Sequence, residues 1–138
     1  MHDIHEIQKG LTDEMFRAIE AKYDGWMRRN FSGFGKKPLE KFANLLAKAN
    51  AAAETNGLYG ASKALRQEMG VSFVTQGEEA IPEDGPMLIA SNHPGAYDML
   101  CLGETPARKD LNVIASEIPF YKKLHNIYRS IIGVTTDP

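Results

Sequence analysis

The chain has 138 residues, 43% of them hydrophobic and 25% charged, the profile of a soluble globular domain with room for one compact core. Its 16 basic and 18 acidic side chains leave a net charge of −2, which argues against the basic field of a nucleic-acid binder. The single cysteine, Cys101, cannot close an intramolecular disulfide, and no stretch approaches the roughly 20 apolar residues of a membrane span. The amino terminus, "MHDIHEIQKG", lacks the apolar core of a signal peptide. A cytoplasmic protein is expected, with any membrane contact peripheral.

Residues 1–70 read as a helical region. Leu11, Met15, Ile19, Tyr23 and Trp26 fall on one face at three- and four-residue steps, which predicts a first helix. Thr12 is its expected N-cap, with Leu11 and Phe16 packing across the cap. "NFSGFGKKP" (30–38) breaks the pattern, and Pro38 is expected to open a second helix. Leu39, Phe42, Leu46, Ala49 and Ala53 form its apolar stripe, and Gly57 suits its end. A third helix is expected from about Tyr59 to Met69, stopped by Gly70. These apolar faces are too narrow to bury alone.

Residues 71–138 change character. "VSFVT" reads as a strand, "PEDGP" as a turn and "MLIAS" as a buried strand. A helix from about Ala96 to Pro106, the run "LNVIAS", a helix around Phe120 to Tyr128 and "SIIGVTT" follow. That order predicts an α/β fold: amino-terminal helices, then a mainly parallel sheet with crossover helices. The two regions need not be separate domains. Sites in such sheets lie beyond the carboxyl ends of the strands, and His93 stands two residues past "MLIAS".

The stretch "SNHPGAYDML" (91–100) carries the chemistry. Pro94 drives His93 into an extended conformation, Gly95 permits a sharp turn, and Asp98 falls in the first turn of the next helix. A carboxylate on one imidazole nitrogen fixes the tautomer and leaves the other free to take a proton. Such a general base is worth about 10²- to 10⁴-fold in rate. Spacing alone leaves two readings open: a base with its orienting carboxylate, or a turn histidine beside a helix-capping aspartate.

"GPMLIASNHPGAYD" resembles the first motif block of the glycerol-phosphate and lysophospholipid acyltransferase family, whose hallmark is Asn-His, four residues, then Asp at the end of an apolar strand. "LNVIASEIPFYKKLHNIYRSIIGVTTDP" resembles the strand and helix leading to the family's second block. The resemblance covers residues 71–138. It implies that His93 deprotonates an acceptor hydroxyl, that Asp98 orients His93, and that Asn92, Gly95 and Tyr97 contact substrate. The donor it implies is acyl-CoA or acyl carrier protein, and the acceptor a glycerol-phosphate or lysophospholipid. No metal or cofactor is implied, and no acyl-enzyme forms, so Cys101 is expected to be a packing residue. The sequence departs from the family in three places. The arginine of the second block and the Pro-Glu-Gly-Thr/Ser-Arg of the third, which holds the acceptor's phosphate, are not among these residues, and Ser116 stands where many relatives carry lysine. The chain is therefore expected to be an amino-terminal fragment, with little activity alone.

Other features have simpler readings. His2 and His5 lack partners for a metal site, His125 reads as structural, and "GFGKK" reads as a linker without the strand and helix of a phosphate loop. Arg108, Lys109, Lys122 and Lys123 either form a solvated surface or meet an acidic carrier or phosphate at the active face. Trp26, Met27, Phe31 and Phe34 beside Arg28, Arg29, Lys36 and Lys37 suit a membrane interface or a helix packed on its neighbour. An esterase is the weakest reading, because no "GxSxG" elbow occurs. The alternative to acyl transfer is a non-catalytic helical interaction or membrane-surface module with a degenerate α/β piece.

Overall fold

The computed structural model describes residues 2–20, 36–92, 95 and 97–135. Helix α1 spans His2–Glu20. Thr12 lies inside it and is not its cap. The Thr12 hydroxyl donates to the Gln8 carbonyl at 2.8 Å, so it bonds the preceding turn of a helix that passes straight through. Ile7 and Leu11, one turn apart, are buried. Of the predicted stripe, Tyr23 and Trp26 fall outside the described residues.

Helix α2 spans Lys36–Met69 and is broken at Gly57, which has φ 57° and ψ −148°. The expected stop and restart are therefore one sharp bend. Glycine is required there twice over: its φ is positive, and a Cβ would run into the Lys109 carbonyl. Gly70 ends the helix at φ 66°. Its N–H donates to the Gln67 carbonyl at 3.2 Å, and the Val71 N–H donates to Arg66 at 3.1 Å, the paired bonds of a Schellman stop.

The inward face of α2 runs through Ala43, Leu46, Asn50 and Ala53, a three-four-three step. Phe42, expected inside, is exposed, because its neighbour Ala43 takes the inward position. The core joins Ile7 and Leu11 of α1 to these residues, and to Phe120, Leu124 and Ile127 from near the carboxyl terminus. Alanines at Ala43, Ala49 and Ala53 let the packed elements approach closely.

Helix α3 is Asp98–Glu104, within the helix expected at 96–106. The helix expected at 120–128 appears in two pieces, a 3₁₀ turn at Pro119–Lys123 and α4 at His125–Tyr128. Leu124, between them, has φ −99° and ψ 67°, outside the helical region. Buried Asn50 holds the second piece: its Oδ1 accepts the N–H groups of Asn126 and Ile127 at 3.0 and 3.2 Å, and its carbonyl accepts Asn126 Nδ2 at 3.0 Å.

Strand β1 (Val113–Ser116) pairs in parallel with β2 (Ile131–Val134), with Val113 opposite Ile131 and Ser116 opposite Val134. The coarse expectation holds: helices first, then parallel strands joined by a helical crossover. Val113, Ala115 and Ile131 are half-buried, whereas Ile114, Ile132 and Val134 are exposed on the other face.

Two expected strands, 71–75 and 87–91, have no regular secondary structure and join no sheet among the described residues. Val74 and Leu88 are 91% and 89% exposed. Alternating or apolar sequence makes a segment ready to pair, but a strand exists only where a partner accepts its backbone bonds. "PEDGP" bends the chain at 83–85, with Gly85 at φ 81°.

Candidate active site

The run Met87–Ser91 leads into Asn92. His93, the expected base, lies outside the described residues, as do Pro94 and Ala96. Asp98 opens α3 and is half-buried. Its Oδ2 accepts the Gly95 N–H at 2.7 Å, so the carboxylate reaches back three residues and closes the turn before the helix. The Tyr97 carbonyl accepts the N–H groups of Leu100 and Cys101 at 3.0 and 3.2 Å, the first bonds of α3. Asn92, Gly95 and Tyr97, expected at the substrate, are exposed. Cys101 is half-buried inside α3.

The other end of α3 is anchored by residues that sequence reasoning did not single out. Arg66 Nε and Nη2 donate to Glu104 Oε2 and Oε1 at 2.5 and 2.9 Å. Arg66 Nη1 donates to the Val71 carbonyl at 3.1 Å, and its guanidinium lies 5.5 Å from the centre of the Phe73 ring. The hydrogen bonds to Glu104 raise the Arg66 pKa. Beside this clamp the backbone of Gly103 lies against Ser62 of α2, leaving no room for a Cβ. Arg66 and Glu104 are 38 residues apart; only a cation in the last turn before a glycine stop was legible locally.

A second polar group gathers at the carboxyl ends of the strands. The Glu117 N–H extends the ladder by donating to Val134 at 3.0 Å, and its side chain lies against Gly133. Lys122 Nζ stands 2.8 Å from Glu117 Oε1. The hydrogen bond from Lys122, helped by a further one from Tyr128, holds the Glu117 carboxyl below its usual range, and Glu117 in turn raises Lys122. Lys123 pairs instead with Glu6 at 3.4 Å.

Arg108 belongs to the opposite end of the sheet. Its Nη2 donates to the Gly85 carbonyl at 2.8 Å and to Asp110 Oδ2 at 2.6 Å, and Nη1 reaches the Pro82 carbonyl at 3.3 Å. This residue staples the start of the Met87–Ser91 run to the approach of β1. An open groove of about 700 Å³ is lined by Gly85–Ser91, by Arg108 and Asp110–Ile114, and by Leu58, Met99, Leu102, Gly103 and Ile132.

Among the described residues no three metal-ligating side chains gather, and no helix is long and apolar enough to cross a membrane. His5 and His125 are exposed. Comparison with protein-family models, with curated proteins and with solved structures finds no match for this chain.

Proposed function

We propose that the chain is part of a glycerolipid acyltransferase-like domain that moves a fatty acyl group from acyl-CoA or acyl carrier protein to a hydroxyl of a glycerol-phosphate or lysophospholipid. The observation that carries this reading is the 2.7 Å bond from the Gly95 N–H to Asp98. It supports a carboxylate held at the turn of the "SNHPGAYD" block, where an orienting group for His93 is needed. The parallel order of β1 and β2 adds support, because it is the crossover pattern in which sites gather at strand carboxyl ends.

In this mechanism His93 takes the proton of the acceptor hydroxyl as the oxygen attacks the thioester carbonyl. The new C–O bond forms, the C–S bond breaks, and the thiolate leaves with the proton returned by His93. Asp98 keeps the imidazole in the tautomer that can accept the proton. Asn92, Gly95 and Tyr97 contact substrate. The protein works in the cytoplasm at the inner face of the membrane.

The test is acyl transfer to glycerol 3-phosphate and to lysophosphatidate, measured on the protein expressed from the whole reading frame that contains these residues. His93→Ala is expected to lower the rate by about 10²- to 10⁴-fold, and Asp98→Asn to lower kcat through the wrong tautomer. Undiminished transfer by His93→Ala would remove His93 from the mechanism. Peripheral attachment is tested with anionic liposomes, whose binding should weaken in Trp26→Ala and Arg28→Glu.

The second reading, a non-catalytic interaction module, is favoured by the open aliphatic sheet face of Ile114, Ile132 and Val134. A protein that transfers no acyl group with any of these donors and acceptors, yet captures a partner through that face, would support it.

A further inference from the structure

We draw no further inference here: the strongest candidate, the open aliphatic groove of about 700 Å³ bounded by residues 85–91, by Met99 and Leu102 of α3 and by Ile114 and Ile132 of the sheet, is an apolar face for which nothing in the structure shows what covers it.

Discussion

Arg66 grips Glu104 with two nitrogens, at 2.5 and 2.9 Å, and so ties the last turn of α2 to the last residue of the helix that begins at Asp98. A fork of this kind fixes both distance and angle, which a lysine cannot do. Arg66→Ala should lower the melting temperature by several degrees and speed amide exchange in α3. Arg66→Lys should recover only part of the loss. Unchanged exchange in Arg66→Ala would show that Gly103 packing alone holds α3.

Asn50 is the polar centre of an otherwise aliphatic seam. Replacing it with leucine removes the acceptor of two backbone N–H groups and leaves both without a partner. The expected loss is about 2–4 kcal/mol, one to two buried unsatisfied groups' worth. Asn50→Asp keeps both acceptors and should lie much closer to the parent at neutral pH. Urea unfolding of the two variants measures the difference.

Gly103 and Ser62 leave no space for a side chain between α3 and α2. Gly103→Ala should destabilise by about 1–3 kcal/mol, the usual range for overpacking. Ser62→Gly in the same protein removes both the Oγ and the Cβ in the way, so the double variant should regain much of that loss. Strict additivity in a double-mutant cycle would contradict the contact.

Glu117 has a folded pKa below its unfolded value because Lys122 and Tyr128 favour the carboxylate. Its contribution to stability is thus present above the unfolded pKa and is lost as pH falls through the folded one. Glu117→Gln should flatten the acid side of the stability profile. The difference should shrink in high salt, because Lys122 is largely exposed.

What was legible in the sequence was local. Gly57 and Gly70 both announced helix ends, of which Gly70 is one and Gly57 is instead a bend within α2, and "LNVIAS" and "SIIGVTT" announced β1 and β2. The helical period placed Leu11, Leu46, Ala49 and Ala53 inside. Thr12 misled because a hydroxyl that can cap a helix can equally bond the turn before it. Phe42 misled because the inward row runs through its smaller neighbour Ala43. The runs 71–75 and 87–91 have strand composition, but pairing depends on a partner that local pattern does not contain. The place of Asp98 in the first turn of α3 was legible, whereas Arg66–Glu104, Asn50–Asn126 and Arg108–Gly85 join residues 38, 76 and 23 apart, and no short window shows both partners.

The bend at Gly57 has a mechanical consequence. Unbroken, the 34 residues of α2 would make a rod of about 50 Å, well beyond the diameter of a small domain. Folded at one residue, the rod becomes a bracket with two jobs. The arm before Gly57 carries Ala43, Leu46 and Asn50 and grips α1 and α4. The arm after it carries Ser62 and Arg66 and grips α3, with Asp98 at its far end. The attitude of the candidate chemistry relative to the main core is therefore set by the two backbone angles of a single glycine, which the Lys109 carbonyl wedges in place.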